Sequence, residues 1–384
     1  MKILFVMHYN IEQEWHYWQT SQNLTMPTHI LWGLTHLSNH ELEVDLLPYE
    51  KYPILKKIGT KLKLGNLDHQ LRAVLCQGNY DLVYCSGPTD TVFLSLLRHL
   101  GILRKPLVVK LERPFRDTTI NRLLAKILVY GHDKVLCLSQ RLYDQLRNDY
   151  QIPEEMLGTL EWGPHLSSYE KNIDLSTDNL TAEDLTAKSQ ENSFWISTGG
   201  ENRDYNTLVS AFQGINFPLR VYCTGNSAPD AAKVPPHVSV FYSDRLEKKT
   251  VTFPQMLELY RRAYAIAIPL DIPPHRASYS NSYGLTSLLD ALAMGKATLM
   301  TRNQQVDIDI EKEKIGFWLD YQDVVGWQQA ISYLMAHPEE VQEMGDRAYY
   351  LAQNKYNLEN YSAQLAQQLK QVGYQSQQSL ISPI

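Results

Sequence analysis

Short apolar runs that alternate with amphipathic stretches most restrict what this chain can fold into. Lys2–Met7, Phe194–Thr198 and Leu219–Cys223 are mainly apolar. Such runs fit strands that a parallel sheet buries on both faces. The pattern occurs in both halves of a chain of 384 residues, which is longer than one ordinary domain. The sequence therefore predicts an α/β protein of two domains, each with a parallel sheet.

Helical periodicity predicts several elements between these runs. Met26–Leu37 places Ile30, Leu31, Leu34 and Leu37 on one face and predicts a helix. Phe253–Arg262 has a similar pattern. A last amphipathic helix is predicted over Leu358–Val372, and the polar residues from Gly373 onward are expected to fray.

Composition excludes several classes of protein. The hydrophobic fraction of 44% and the charged fraction of 20% are globular values, and a net charge of −6 argues against nucleic-acid binding. The sequence contains no run of about 18 apolar residues, so it predicts no membrane span. The first apolar run ends in His8 and Tyr9 and predicts a strand rather than a signal peptide. The four scattered cysteines make no metal pattern and fit reduced thiols of a cytoplasmic protein.

The stretch Tyr283–Arg302, YGLTSLLDALAMGKATLMTR, predicts an anion-binding turn, a helix and a buried strand. Gly284 has no Cβ, so a ligand can approach its backbone closely. Thr286 and Ser287 stand where the helix should begin, and the unpaired amides of a helix N-terminus bind phosphate. Asp290 falls on the same helix face and suits the two hydroxyls of a ribose. The alternative is an ordinary capped helix.

The run G-L-T-S-L-L-D-A-L-A-M-G-K within this stretch resembles the nucleotide-sugar segment of GT-B glycosyltransferases, in particular glycosyltransferase family 4, or group 1. In that family the amides and hydroxyls hold the donor diphosphate and the acid binds the ribose. The donor-binding residues that the resemblance implies here are Ser282, Tyr283, Gly284, Leu285, Thr286, Ser287 and Asp290. The chain departs from the family pattern in three places: Asp290 replaces the usual Glu, Ala297 stands where Pro is common, and Ser282 replaces the second acid of retaining members.

A second segment, GGENRDYNTLVSAF from Gly199, resembles the family's other diphosphate contact. Gly199 and Gly200 correspond to its glycine turn, and Arg203 corresponds to its cation. A guanidinium suits that contact because it stays charged and forms forked hydrogen bonds. The alternative is a surface arginine near a helix start.

The resemblance covers nearly the whole chain in element order and implies the GT-B architecture, in which two Rossmann-like domains with parallel sheets face each other across a cleft. It implies an acceptor-binding domain over 1–168, a polar connector over 169–192 and a nucleotide-sugar domain over 193–356. Residues 357–384 are expected to form a helix that returns to the first domain, followed by the frayed tail.

Candidate acceptor-binding residues follow the first strand and lie in the crossover between the domains. They are His8, Trp15, His16 and Trp162. The segment beyond the carboxyl end of a parallel strand lines the ligand crevice, where aromatic side chains can stack on a sugar or an acceptor. A loop held in place by its aromatic residues is the alternative. The glycine pair that many family members carry in this loop is absent.

Two residues are candidates for catalysis. Glu112 ends the run Pro106–Leu111, where relatives place a histidine. It can be a base, an acceptor ligand or the ion-pair partner of Arg113 or Lys110. His275 lies in the loop before the anion-binding turn and can reach the donor sugar, or it is simply exposed.

No metal and no other cofactor is expected. The helix dipole, the amides at 284–287 and Arg203 can stabilise the leaving diphosphate by themselves. Asp307 and Asp309 have the spacing of a metal-binding pair, but they lie in a charged loop and are interpreted as solvated.

The segment Lys51–Lys63 combines five lysines with interleaved apolar residues. Such a stretch can lie on an anionic membrane, which predicts a peripheral position on the inner face. A solvated helix face is the alternative.

With these features, the resemblance implies a hexosyltransferase, retaining and metal-independent, that moves a sugar from a nucleotide-diphosphate sugar to a hydroxyl acceptor. The acceptor is a lipid-linked or polysaccharide precursor, as in envelope biosynthesis, or a small molecule. Two alternatives stay open: a nucleotide-sugar epimerase or hydrolase of similar fold, and an inactive nucleotide-sugar-binding module. The missing acid at Ser282 keeps the second of these open.

Overall fold

A computed structural model describes residues 1–20, 28–88, 91–114, 126, 128–170, 193–243 and 251–381. They form two compact units. The N-terminal unit comprises the described residues up to Gly163 and those from Leu358 onward, and the C-terminal unit comprises the described residues of Pro164–Asn357. The connector predicted over 169–192 lies, from residue 171 onward, outside the described residues.

The N-terminal unit contains a six-stranded parallel sheet in the order β2-β1-β3-β4-β5-β6. Its strands are β1 Lys2–Val6, β2 Glu43–Leu46, β3 Leu82–Cys85, β4 Leu107–Leu111, β5 Lys134–Cys137 and β6 Leu157–Thr159. In the central register, Ile3 pairs with Val44 of β2 and with Leu82 of β3.

The C-terminal unit contains a second six-stranded parallel sheet in the order β12-β11-β10-β7-β8-β9. Its strands are β7 Phe194–Thr198, β8 Leu219–Cys223, β9 Val238–Tyr242, β10 Ala263–Ile268, β11 Thr298–Thr301 and β12 Gly316–Leu319. The two parallel sheets confirm the predicted α/β class.

Helices connect the strands in both units. Those of the N-terminal unit are α1 Glu12–Thr20, α2 Pro53–Lys61, α3 Leu67–Cys76, α4 Val92–His99, α5 Gln140–Asp144 and α12 Leu358–Ile381. Those of the C-terminal unit are α6 Ser167–Glu170, α7 Tyr205–Phe212, α8 Phe253–Arg262, α9 Leu285–Ala293, α10 Val324–Ala336 and α11 Pro338–Asn354. Side-chain caps begin several of them: the Thr252 hydroxyl accepts from the Gln255 amide at 3.4 Å, and Gln255 Oε1 accepts from the Thr252 amide at 2.9 Å. None of the described helices is long and apolar enough to cross a membrane.

Successive residues of a strand face opposite sides of the sheet, and β1 shows how this builds two cores. Leu4 and Val6 join the cluster on one face, whereas Ile3 and Phe5 join the cluster on the other. The second cluster includes Leu358, Tyr361, Leu365 and Leu369 of α12. Each fully buried apolar side chain of this kind contributes about 1.5–3 kcal/mol. The last helix is thereby part of the N-terminal unit.

The helix predicted over Met26–Leu37 is wrong for its described part. Two short 3₁₀ turns, Thr28–Leu31 and Leu34–His40, replace it, separated by Trp32 at φ 51° and Gly33 at φ 77°. A Cβ at Gly33 would lie 2.8 Å from Ser362 Oγ and 2.9 Å from Tyr361 Cδ1. The close approach of α12 therefore leaves no room for a side chain at Gly33, and its left-handed φ also favours glycine.

The predicted end of the last helix at Val372 is also wrong, because α12 continues to Ile381. A Cβ at Gly373 would collide with Met1 Sδ, so the helix still packs against the chain terminus beyond the predicted end.

Candidate functional site

The N-terminus of α9 is a candidate site for an anion. Gly284 precedes the helix at φ 85°, and no side chain caps it. The amides of the first helical turn have no intrahelical acceptor and carry the positive end of the helix dipole. Thr286 is exposed here, whereas Ser287 is buried. A helix N-terminus of this kind is a place where anions bind, and the anion-binding role of this turn stays a prediction.

Gly284 is needed for a reason that the sequence did not indicate. A Cβ on it would lie 2.6 Å from Met300 Cε, 3.1 Å from Ile268 Cγ2 and 3.2 Å from Leu270 Cδ2. Its missing side chain thus allows the turn to pack on β10 and β11, in addition to its left-handed φ.

Asn303 fixes the loop that leads into this turn. Its amide nitrogen donates to the carbonyl oxygens of Asn281 and Tyr283, both at 2.9 Å, and its Oδ1 accepts from the Gln305 amide at 3.0 Å. Only 3% of Asn303 is exposed. Sequence reasoning missed it, although a polar residue just after a buried strand is a recognisable signal.

Arg203 connects the two predicted donor segments. Its Nη2 donates to Ser287 Oγ at 3.0 Å, across 84 residues of sequence. Its Nε donates to the Thr198 carbonyl and its Nη1 to the Glu201 carbonyl, each at 3.1 Å. The guanidinium therefore lies between the glycine turn and the start of α9.

The glycine turn lies directly on this guanidinium. Gly199 has φ 128°, and a Cβ on it would lie 2.6–2.7 Å from guanidinium atoms of Arg203. A Cβ on Gly200 would lie 2.6 Å from Thr224 Cγ2. Burial lowers the pKa of Arg203 below its ordinary value, but an arginine remains charged at neutral pH. The half-buried cation adds to the positive end of the α9 dipole.

Asp290 lies one turn further along α9 and is already hydrogen-bonded. The Tyr169 hydroxyl donates to Asp290 Oδ1 at 2.6 Å. Burial raises the pKa of Asp290 to about 6. Nearby, Thr198 Oγ1 lies 2.6 Å from the Tyr260 hydroxyl, which links this group to the strand that ends at the glycine turn.

A pocket of about 880 Å³ begins at the glycine turn and extends along the carboxyl ends of β7, β8 and β9. Tyr222 and Phe241 stack in its wall, with ring centroids 4.6 Å apart and planes 11° apart. The other lining residues are Thr198, Gly199, Gly200, Glu201, Cys223, Thr224, Gly225, Asn226, Tyr242, Ser243, Val251 and Met256. Apart from Gly199 and Gly200, sequence reasoning did not identify these walls, because they come from adjacent strands rather than from one motif.

The other predicted residues of the C-terminal unit take smaller parts. The Ser282 carbonyl accepts from the Leu285 amide at 3.1 Å and so closes the turn. His275 is exposed on the 3₁₀ turn Pro274–Tyr279 and makes no hydrogen bond with Arg203, Ser287 or Asp290 in the part of the chain that the structure describes. The structure does not bring it into the group around Arg203.

Asp307 and Asp309, predicted to be solvated, are both exposed. Asp309 also accepts two hydrogen bonds at the surface. Its Oδ1 accepts from the Lys312 amide at 3.3 Å and from Trp318 Nε1 at 3.2 Å, and the backbone hydrogen bond is the main cause that lowers its pKa.

In the N-terminal unit, Glu112 forms an ion pair with Lys110, whose Nζ lies 2.6 Å from Glu112 Oε1. Lys110 is fully buried, and its Nζ lies 2.8 Å from the centroid of the Trp32 ring. Burial lowers the pKa of Lys110 to about 8. Of the alternatives for Glu112, pairing with Lys110 is observed.

Trp32 connects this ion pair to two aromatic residues. Its ring stacks on Trp162 at 4.9 Å, and its Nε1 donates to the Tyr9 hydroxyl at 3.0 Å. Trp162 is thus packed against the unit itself. Sequence reasoning missed Trp32, because it expected the residue inside a helix.

The remaining acceptor candidates lie at the same end of the sheet or on α1. His8 Nδ1 lies 2.7 Å from Ser86 Oγ, just beyond β1 and β3. Trp15 packs on Trp18 at 5.0 Å, and His16 is exposed. The structure joins Trp162 to Glu112 through Trp32 and Lys110. An acceptor-binding role for His8, Trp15 and His16 stays a prediction.

No family model matches this chain, and no curated protein does. Solved structures do match. Sucrose-phosphate synthase from Thermosynechococcus elongatus aligns with a TM-score of 0.68 and 12% identity over 98% of this chain and 100% of that chain. A glycosyltransferase from Rickettsia africae aligns with a TM-score of 0.64 and 14% identity over 97% of this chain and 98% of that chain. HepE from Anabaena, solved in complex with UDP, aligns with a TM-score of 0.64 and 13% identity over 97% of this chain and 100% of that chain.

At these identities the likeness concerns the fold. The matched structures are GT-B proteins, and this chain has the GT-B fold. The fold that the two sequence segments suggested is thereby confirmed.

Proposed function

We propose that this protein is a glycosyltransferase that binds a nucleotide-diphosphate sugar in its C-terminal unit and transfers the sugar to a hydroxyl acceptor. The contact between Arg203 and Ser287 carries the proposal. It brings a cation, a glycine turn and the N-terminus of α9 to one place. The leaving diphosphate gains negative charge during transfer, and charge-assisted hydrogen bonds from these groups stabilise it.

The rest of the donor fits the same unit. The pocket that begins at Gly199 and Gly200 takes the nucleoside base, and Asp290 accepts from the ribose one helical turn from Ser287. HepE has been solved with UDP and with UDP-glucose, which makes UDP-glucose the first donor to test.

The sugar proposed is a hexose, transferred with retention and without a metal. The positive charge that a metal would supply comes from Arg203 and the dipole of α9. In a retaining reaction the leaving phosphate can take the proton of the acceptor hydroxyl. Glu112 is the alternative base, positioned by its ion pair with Lys110.

The acceptor is proposed to bind the N-terminal unit and to be lipid-linked, which places the protein on the cytoplasmic face of a membrane. Helix α2 supports this. Ile54 is 72% exposed and the adjoining Leu62 is 59% exposed, and the lysines at 57, 61 and 63 accompany them. Exposed apolar residues beside lysines are the composition that an anionic lipid surface attracts.

Turnover assays separate the candidate activities. The protein is incubated with UDP-glucose, GDP-mannose or ADP-glucose, with and without lipid and polyol acceptors, and the released nucleotide and the sugar products are measured. We expect release with one donor that rises at least several-fold when an acceptor is present, together with a glycosylated product. Release with donor alone would indicate a hydrolase, a changed sugar nucleotide would indicate an epimerase, and binding without turnover would indicate an inactive module.

A further inference from the structure

Tyr169 touches the proposed ribose-binding acid from a distant part of the sequence. It lies on α6, the first helix of the C-terminal unit, and its hydroxyl donates to Asp290 Oδ1 at 2.6 Å across 121 residues. Only 4% of Tyr169 is exposed, so the hydrogen bond is largely shielded from water. Neither donor segment of the sequence contains this residue.

Packing fixes the position of the phenol. Its ring meets Phe253 edge-on at 5.4 Å and 89°, and it clusters with Leu257 of α8 and Ala293 of α9. On the side of α6, the hydroxyls of Ser167 and Ser168 lie 2.8 Å and 3.0 Å from the ring nitrogens of His165. The hydroxyl therefore has a defined direction relative to α9.

We propose that Tyr169 is a positioning residue of the donor site: it holds Asp290 Oδ1 and so turns Oδ2 toward a single ribose hydroxyl. This inference rests on the proposed function. A carboxylate oxygen that already accepts a short hydrogen bond has less capacity for another, so the two oxygens become unequal. The site should then depend more on one ribose hydroxyl than on the other.

The same hydrogen bond favours the ionised acid. Burial raises the pKa of Asp290, and the Tyr169 hydroxyl opposes that rise. The other titratable groups near Asp290 are Tyr260, whose pKa is raised by burial first and then by Asp290, and Arg203. Asp290 accepts freely from ribose only when ionised, so donor affinity should fall as the pH drops through about 6. Without the phenol the pKa of Asp290 rises, and the fall should begin at higher pH.

The test compares Tyr169→Phe with Tyr264→Phe. Tyr264 donates to the Leu334 carbonyl at 2.6 Å in the same unit, so the control loses a matched hydrogen bond that does not involve Asp290. Affinities for UDP, GDP and ADP are measured by calorimetry on both sides of pH 6. We expect Tyr169→Phe to weaken binding of the preferred nucleotide about ten-fold at neutral pH, since bonds to charged groups are strong. Tyr264→Phe should bind like the wild type.

Two further readouts separate positioning from mere stability. The difference in affinity between the 2′-deoxy and 3′-deoxy nucleotides should shrink in Tyr169→Phe. The pH at which affinity falls should be higher in Tyr169→Phe than in the wild type. The phosphate of the nucleotide titrates in the same way with both proteins, so it does not contribute to this difference. In an Asp290→Asn background, Tyr169→Phe should no longer shift the pH profile. It should also cause little further loss of affinity there, because both substitutions act on the contact between Tyr169 and Asp290. Unchanged affinity and pH profile in Tyr169→Phe would overturn the proposal.

A measurement without ligand tests the effect of Tyr169 on Asp290 independently of the proposed function. The Asp290 carboxyl carbon is titrated by NMR, with Asp290→Asn to assign its signal. Its pKa should be higher in Tyr169→Phe than in the wild type or in Tyr264→Phe. Failure of all three nucleotides to bind the wild type would contradict the proposed function and the positioning role together. An unaltered pKa would refute the role of Tyr169 alone.

Discussion

At Gly284 two separate requirements exclude a side chain, and they can be measured apart. Its φ of 85° costs an alanine about 1–2 kcal/mol, and the contact of a Cβ with Met300 adds an overpacking cost of about 1–3 kcal/mol. We expect Gly284→Ala to lower the free energy of unfolding of the C-terminal unit by about 2–5 kcal/mol, as measured by denaturant titration.

Gly295 supplies the matched control at the other end of α9. It has φ 61°, but the nearest atoms to its Cβ would lie at ordinary distances of 3.4 Å and 3.5 Å. Gly295→Ala should therefore show the backbone cost alone, about 1–2 kcal/mol. Equal losses in the two variants would show that the packing of Gly284 on β10 and β11 is unimportant.

Residues that depend on distant neighbours were the hardest to predict. The sequence showed that Glu112 ends a buried strand, but it could not choose between its roles. The choice depends on Lys110 and on Trp32, which reaches Lys110 only because the backbone bends at Trp32 and Gly33. That bend is imposed by α12, more than 300 positions away in sequence, as the Gly33–Ser362 contact shows.

At the scale of elements, α2 allows the membrane proposal to be tested. The lysines in α2 and just after it should each contribute about 1 kcal/mol to binding an anionic surface. We expect the wild type to sediment with anionic vesicles at low salt. Replacing Lys57, Lys61 and Lys63 by Glu should abolish sedimentation.

The control replaces three exposed lysines of the C-terminal unit, Lys233, Lys312 and Lys355, by Glu, which changes the net charge equally. It should sediment like the wild type. A wild type that stays in solution, or a control that fails as fully as the α2 variant, would exclude α2 as the docking element and favour a soluble acceptor.

Most strands and several helices were predictable from local pattern. Phe194–Thr198, Leu219–Cys223 and Phe253–Arg262 match the predicted bounds, because buried parallel strands and capped amphipathic helices carry their signals within a few residues. Helix α11 was not predicted. Its buried face includes small residues such as Gly345 and Ala348, and a Cβ at Gly345 would collide with the backbone of Gly295. Such a contact has no signature in the helix alone.

At the scale of the whole molecule, two short segments indicated the GT-B fold and most of the candidate donor site. Arg203 and Ser287 were each proposed from their own segment, and the structure brings them to 3.0 Å. Tyr169, Asn303 and the walls of the pocket escaped prediction. They enter the site through packing among separate helices and strands, which no single motif encodes.

The central claim is that Arg203 and the start of α9 bind the diphosphate of a nucleotide. Calorimetry with UDP and with uridine on Arg203→Ala tests it most directly, and Arg302→Ala is the control, since Arg302 pairs with Glu311 in the same unit. Arg203→Ala should weaken UDP binding by about 1.5–3 kcal/mol, roughly ten- to hundred-fold, and leave uridine binding nearly unchanged. Arg302→Ala should change neither affinity. An equal loss for UDP and uridine, or no loss for UDP, would contradict the account.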